Sequence, residues 1–266
     1  MAGRRPPPGE QPEARKGEPA NPSGALLRGL DVLEAFGPDR SVLGNADISA
    51  ATGLPKATVS RLTRALVDAG YLDYDIVSGK YHLRPRVLTL GFSLLSNMKL
   101  LPLAHERLQR LANESGCTVS LACPDAPHMI YVDRCSNAAM PYFFSIGSAV
   151  DMVRTATGQA YIAGLRAHER EALLERLAPH YPDDWTSLQR DLAHAVEQVA
   201  SKGFCTVDKT WQPNIRSVAA PLVTRAGVAR MSINCVAQTF AMDQDTLTSK
   251  WGPTLAEVAY ALSAQL

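Results

Sequence analysis

The sequence predicts an α+β protein in two parts, a small helix-turn-helix module carrying a β-hairpin and then a larger mixed α/β domain. Three observations predict it. Residues 45–70, NADISAATGLPKATVSRLTRALVDAG, read as two short helices around a tight turn. Two short strand-like runs, 71–74 and 80–83, follow directly and are joined through Ser78-Gly79. Beyond residue 100, six apolar strand-like runs are interleaved with helical ones, the pattern of one mixed domain over 100–266.

In the first helix of the pair Asn45 is a cap residue and Asp47 lies in the first turn. Ile48 and Ala51 supply its apolar face. Gly53 falls where the chain must reverse, Leu54 fills the gap between the helices, and Pro55 suits the first position of the next helix. From 55 to 69 the pattern splits. Val59, Leu62 and Leu66 recur on one face with Ala65 and Ala69 beside them. Lys56, Ser60, Arg61 and Arg64 fall on the other, with Thr58 and Thr63 at the flanks and Gly70 closing the end. Three cations and no anion between 56 and 64 suit the major groove of DNA. An ordinary amphipathic helix with a solvated basic side has the same pattern. The preceding turn and the following hairpin favour the groove reading, since helix-turn-helix plus hairpin is the winged form. Lys80, near the wing tip, is then a phosphate contact.

The rest of the chain reads in order. Residues 1–23 belong to a stretch rich in Pro and Gly that holds no large hydrophobe after Met1, so a disordered tail is expected. Arg4 and Arg5 are read as part of an inert tail. Ser23 can cap a helix over 25–36 whose Leu26, Leu30, Leu33 and Phe36 pack on the module, which spans 24–84. Pro85 begins a helix over 86–97 that is apolar nearly all round, within a linker of 85–99. Such a helix needs more than one partner surface, either a second protomer or both domains of one chain. A helix from Leu101-Pro102 to Gly116 follows. Strands are expected at 117–123, 129–133 and 141–146, helices at 155–165, 167–177 and 187–202, strands at 204–207, 215–222 and 228–236, and a last helix over 243–264 that Pro253 can kink.

Composition narrows the function classes. A chain of 266 residues with 46% hydrophobic residues can bury a core, and a net charge of +1 means that DNA binding must rest on a local patch. The five Cys (117, 123, 135, 205, 235) form no CxxC, which fits free thiols in a reducing compartment. No apolar run has the length of a membrane span, and the first residues hold no signal-peptide core, so the expected location is cytoplasmic. A thiol enzyme is disfavoured: no Cys has a His at a telling spacing, and neither G-x-S-x-G nor HExxH occurs. A metal-sensing variant built on Cys205, Cys235 and His128 has no support from spacing. No cofactor, metal site or catalytic residue is expected.

The run from ADISAATGLPKATVSRL through GYL to YHLRPRVLTLG resembles the DNA-binding signature of IclR-type bacterial transcription regulators. The resemblance continues in family order through HERLQRLANESGCTVSLA, MIYVDR, TATGQAYIAG and PNIRSVAAPLVTRAGVARMSIN, covering about 24–264. It implies a winged helix-turn-helix domain, a linker helix and a GAF-like effector-binding domain. It also implies a homodimer or dimer of dimers, binding to double-stranded operator DNA, and response to a small organic acid or aromatic effector. VARMSIN is most similar to members controlling aromatic-acid breakdown, and a catabolic operon is the implied target.

Lys56, Thr58, Ser60, Arg61, Arg64 and Lys80 are the expected DNA contacts. Thr155, Ala156, Thr157 and Gly158 match the family's loop at a helix N-terminus, where free N–H groups favour a carboxylate. By the same resemblance Ser217 stands where many members carry Cys, Ser232 and Asn234 match family pocket positions, and Asp208 matches an acidic stretch before the loop; all four are expected effector contacts. If Ser217 faces the pocket, strand alternation brings Ile215 and Ala219 with it and turns Arg216 away. Lys209 and Thr210 stand where acids are expected. Arg154, just before the loop, either pairs with a carboxylate or sits in solvent.

Overall fold

In a computed structural model that describes residues 22–137, 144–209 and 211–266, the chain divides between Asn97 and Met98 into two units. The expected tail lies almost wholly outside the described residues, as do Arg4, Arg5, Thr210 and part of the strand expected at 141–146.

The first unit opens with α1 (Pro22–Glu34), so Ser23 falls within the helix and not at its cap. Its buried contribution comes from Val32, Ala35 and Phe36. Leu26 and Leu30, expected in the core, are exposed, because only the last turn and the residues after it reach the rest of the module. A two-residue strand, β1 (Val42–Leu43), follows. No periodicity in two residues could have announced it.

Helix α2 (Asn45–Thr52) is capped by Gly44, one residue before the expected Asn45. Asp47 Oδ2 accepts the Gly44 N–H at 2.9 Å, which makes up for the missing cap side chain. Gly53 leaves the helix at φ 69°, in the left-handed region where a Cβ is penalised. Ser49 Oγ donates to the Leu54 carbonyl at 2.6 Å and holds the turn shut. Pro55 is the residue before α3 (Lys56–Asp68). The end of α3 closes with the Gly70 and Tyr71 N–H groups on the Val67 and Leu66 carbonyls, both at 2.9 Å.

Strands β2 (Leu72–Asp75) and β3 (Lys80–Leu83) form the hairpin, and β1 adds to β3 in the order β1-β3-β2. Asp75 builds the hairpin turn, accepting from the Val77 N–H at 2.9 Å and the Ser78 hydroxyl at 2.6 Å. These bonds hold its carboxyl below the usual range, the Ser78 bond foremost. Helix α4 (Arg86–Asn97) ends the unit, and Arg86 donates to the Ala69 carbonyl at 2.8 Å.

The second unit is an antiparallel sheet of six strands in the order β6-β5-β4-β9-β8-β7. These are β4 (Thr118–Asp125), β5 (His128–Cys135), β6 (Ala149–Asp151), β7 (Cys205–Asp208), β8 (Ile215–Val223) and β9 (Ala229–Gln238). The strand expected at 141–146 is not found in its described part. Residues 144–148 are irregular and turn at Gly147, and the edge strand is β6. The turn is set by the Gly147 N–H donating back to the Tyr131 carbonyl at 2.8 Å.

Helix α5 (Leu101–Ser115) packs on β4 and β5, and α10 (Gly252–Ser263) packs on β8 and β9. Helices α6 (Ala156–Ala163) and α8 (Trp185–Lys202) cover β7, β8 and β9, with α7 (Ala167–Leu177) between them in sequence. Alternation along β9 separates the two sides. Ser232 and Asn234 hydrogen-bond to α6, while Cys235 meets Cys117 just beyond α5. The last helical stretch is not continuous: α9 (Gln244–Thr246) passes through a π-helical turn, Leu247–Trp251, into α10. Pro253 stands at the start of α10, where its missing N–H is tolerated.

Candidate nucleic-acid face and ligand pocket

The face of α3 that meets the module's core carries Val59 and Thr63, both fully buried, with Leu62, Leu66 and Val67 partly buried beside them. Thr63, expected at a flank, is inside because its hydroxyl donates to the Ser60 carbonyl at 3.2 Å and needs no water. Ala65 and Ala69, expected beside the core, are exposed instead. The opposite face presents Lys56, Ser60, Arg61 and Arg64 to solvent, with Thr58 half-buried at its edge. Among the described residues no carboxylate pairs with Lys56, Arg61 or Arg64. Lys80 is exposed on the hairpin, opposite Asp75. Ile76 and Val77 at its tip are 85% and 97% exposed, and nothing in the sequence pattern had singled them out.

In the second unit a cavity of about 390 Å³, partly open to solvent, lies against the N-terminus of α6. Thr155, Thr157, Ser217 and Asn234 line it, as does Ile215. The remaining wall is aromatic: Tyr131, Phe144 and Trp211, whose rings follow one another with centroids 6.1 and 5.4 Å apart. Thr155 caps α6, accepting the Gly158 N–H at 3.3 Å and donating to the Asp151 carbonyl at 2.6 Å. Asn234 is the polar hub. Its Nδ2 donates to Tyr131 Oη at 2.9 Å and to Thr157 Oγ1 at 2.7 Å. Its Oδ1 is buried without a partner. Both partners are hydroxyls, which accept or donate equally well. Rotating the amide therefore satisfies the oxygen and aims the two N–H donors elsewhere. Burial pushes the Tyr131 phenol above its ordinary value, so it stays a neutral donor and acceptor.

Four other expected ligand residues stand off this wall. Ala156 packs among Ala160, Ala195 and Ala219, Ala219 itself having been expected beside Ser217. Gly158 is pressed on the chain before the helix, and a Cβ there would lie 2.0 Å from the Met152 carbonyl oxygen. Ser232 Oγ donates to the Thr157 carbonyl at 2.8 Å, holding the helix start in place. Asp208 accepts from Arg216 Nε at 2.9 Å, and Arg216 is turned away from the cavity as alternation requires. Arg154 pairs with the protein's own carboxylates, Asp151 at 3.1 Å and Asp184 at 2.6 Å, and lies over the Tyr181 ring.

A second cavity of about 370 Å³ shares Tyr131, Phe144, Ile215 and Val236 with the first and adds Ser120, Arg134 and Gln238. Simple alternation from Tyr131 would put Arg134 on the other side of the sheet. The register, however, jumps: Ala122 faces Tyr131 while Leu121 faces Asp133, so Val132 is an extra residue and Arg134 joins the side of Tyr131. No sequence signal marks that bulge. Cys205, Cys235 and His128 do not converge: Cys205 donates to the Ala156 carbonyl at 3.6 Å, Cys235 sits beside Cys117, and His128 is exposed at the start of β5.

Comparison with known proteins bears on both sites. Residues 25–75 match the IclR helix-turn-helix domain, and residues 92–264 match the bacterial transcriptional regulator IclR C-terminal domain. The chain is 27% identical over 245 residues to the HTH-type transcriptional regulator TsaQ1/TsaQ2 of Comamonas testosteroni, covering 91% of this chain and 88% of that protein. It is 26% identical over 252 residues to the p-hydroxybenzoate hydroxylase transcriptional activator of Acinetobacter baylyi, covering 89% of each. Among solved structures, an IclR family transcriptional regulator from Brucella abortus superposes with a TM-score of 0.78 at 34% identity, covering 91% of this chain and 92% of that one.

Proposed function

The chain belongs to the IclR family of bacterial transcription regulators, and from that premise we propose that it binds operator DNA through α3 and the hairpin and answers to a small aromatic carboxylate held at the N-terminus of α6. It is a DNA-binding regulator, not an enzyme, with a winged helix-turn-helix domain and a GAF-like C-terminal domain. The division of labour we propose is DNA binding by residues 24–84, linkage by 85–99 and sensing by 100–266.

The observation that carries the DNA reading is the unpaired basic face of α3. Arg61 and Arg64 have the length and charge to reach base edges or phosphates, and Lys56 and Lys80 to reach phosphates. Thr58 and Ser60 hydrogen-bond bases or backbone. The hairpin tip, Ile76-Val77, lies along the minor groove beside them, where apolar contact needs no partner.

The ligand reading rests on a cavity that joins three aromatic walls to a helix N-terminus. A flat ring fills the space between Tyr131, Phe144 and Trp211. A carboxylate fits against the free first N–H groups of α6 and the hydroxyls of Thr157 and Ser217. Asn234 then reads a second polar group on the ring. The Acinetobacter relative's name ties it to p-hydroxybenzoate metabolism, which makes 4-hydroxybenzoate a sensible first probe. The target we propose is a catabolic operon.

We further propose a homodimer, or a dimer of dimers, in which α4 is covered by a second copy. Leu88 and Phe92 on α4 are 74% and 72% exposed, and Leu90 and Leu94 are exposed as well. An apolar set of that size on one short helix calls for a partner. The effector would act by preferring one arrangement of the two DNA-binding modules and so one half-site spacing. No single described helix is long and apolar enough to cross a membrane, and work on DNA suits the cytoplasm.

The test has two arms. Mobility-shift titration of DNA from upstream of the protein's own gene should show binding weakened by 4-hydroxybenzoate or a related acid. Thermal denaturation should show stabilisation by the same acid, about 2.7 kcal/mol at 100 times its dissociation constant. Failure of every aromatic acid to shift the melting temperature, with DNA binding intact, would remove the ligand reading and leave the regulator.

A further inference from the structure

Three side chains that the ligand cavity does not use converge on its far side, between α5 and β5. His105, on α5, brings Nδ1 to 3.0 Å from Asp133 Oδ1 and to 3.5 Å from Cys135 Sγ. The donor atoms of all three lie within 4.8 Å of one another. The bulge at Val132 makes this possible. It sends Arg134 to the cavity side and leaves Asp133 and Cys135 together on the side of α5.

Two ordinary uses of such a trio fail on geometry. A nucleophilic relay needs the acid and the thiol on different ring nitrogens, and here both face Nδ1. Burial, and then the Asp133 charge, push the Cys135 thiol up to about 12, the opposite of an activated nucleophile. A purely structural His–Asp pair accounts for neither the thiol in contact with the same nitrogen nor the exposed position of the ring.

We propose that His105, Asp133 and Cys135 form a zinc site with water as the fourth ligand. Ordinary zinc bond lengths at a tetrahedral centre put nitrogen and oxygen about 3.4 Å apart and nitrogen and sulfur about 3.6 Å apart. The pairs found, 3.0 and 3.5 Å, already approach those edges. The Arg134 N–H donates to Asp133 Oδ1 at 2.8 Å and fixes the carboxylate, as outer-sphere donors do around metal ligands. Asp133 and Cys135 are buried while His105 is exposed, so the ion has an entry path and room for its water. On coordination the thiol proton, now given to the His105 carbonyl at 3.6 Å, leaves to solvent, and sulfur binds as thiolate. Thiolate and imidazole select zinc over magnesium or calcium. The ion would pin the first helix of this unit to the strand that carries Tyr131 on its other side.

The experiment uses the full chain without a polyhistidine tag, stripped with chelator and titrated with Co²⁺. The expected result is one cobalt per chain, with tetrahedral visible bands and a near-ultraviolet thiolate charge-transfer band, all bleached by Zn²⁺. Cys135→Ser should remove the charge-transfer band. His105→Gln, whose amide can still donate to Asp133, should weaken binding by at least about 10–100-fold. Zinc should also raise the melting temperature of the parent and not that of either variant. The proposal is overturned by a six-coordinate cobalt spectrum in the parent. It is equally overturned by a thiolate band that survives Cys135→Ser, or by zinc affinity that His105→Gln leaves unchanged. None of these readouts depends on DNA or on an organic acid, so they stand apart from the function proposed above.

Discussion

On α3, the side chains of Lys56, Arg61 and Arg64 stand in solvent with no carboxylate among the described residues to meet them. Two arginines of the C-terminal unit are, by contrast, engaged. Arg154 is held between Asp151 and Asp184 and over Tyr181, while Arg216 binds Asp208 and donates to the Thr239 and Met242 carbonyls at 3.3 and 2.7 Å. Cations answered within the chain are scaffold; cations left unanswered are available to an anion from outside. Formal charge does not separate the two groups, since the whole chain carries only +1. What separates them is whether the fold brings a carboxylate within reach.

The sharpest way to break this contrast is to neutralise the free set. Arg61→Ala with Arg64→Ala should cost operator binding about 1–3 kcal/mol per residue and leave the melting curve in place. For every cation that had met a phosphate, the log–log salt dependence should also flatten by about 0.9. Unchanged affinity at moderate salt would show that these cations are as idle as a solvated helix face. Next in size is Asn234→Ala, which strips the hub from Tyr131 and Thr157. We expect stability to fall by about 1–3 kcal/mol in denaturant unfolding, and the acid-induced thermal shift to disappear. DNA affinity without effector should hold. Gly53→Ala tests the other unit through its backbone. A side chain at φ 69° should cost about 1–2 kcal/mol and lower DNA binding, while the acid-induced shift persists. The smallest effect belongs to Arg154→Ala. Its two ion pairs are partly exposed, so stability should fall by less than about 1 kcal/mol and ligand binding should not change. A large drop in ligand affinity there would move Arg154 from scaffold to site.

Much of this was legible in the residues. The two-faced period of 56–68, the Gly53 turn and the hairpin signal at Ser78-Gly79 each follow from local chemistry, and each element formed within a residue or two of its expected bounds. The TATG helix start was expected from the family resemblance, and its cap, the Thr155 hydroxyl accepting the Gly158 N–H, came only with the structure. The pocket was read only in part. Thr155, Thr157, Ser217 and Asn234 line it, but its aromatic wall comes from Tyr131, Phe144 and Trp211, which lie on separate segments that no local pattern links.

Local propensity and side-chain period act over a few residues, so the chain text was enough for the helices, the turns and the cationic face of α3. Which residues meet across the sheet depends on pairing register, and one bulged residue, Val132, sends Arg134 to the cavity and Asp133 with Cys135 toward His105. A shift of one position inverts every later side chain in the strand, yet it is settled by partners distant in sequence and leaves no trace in composition.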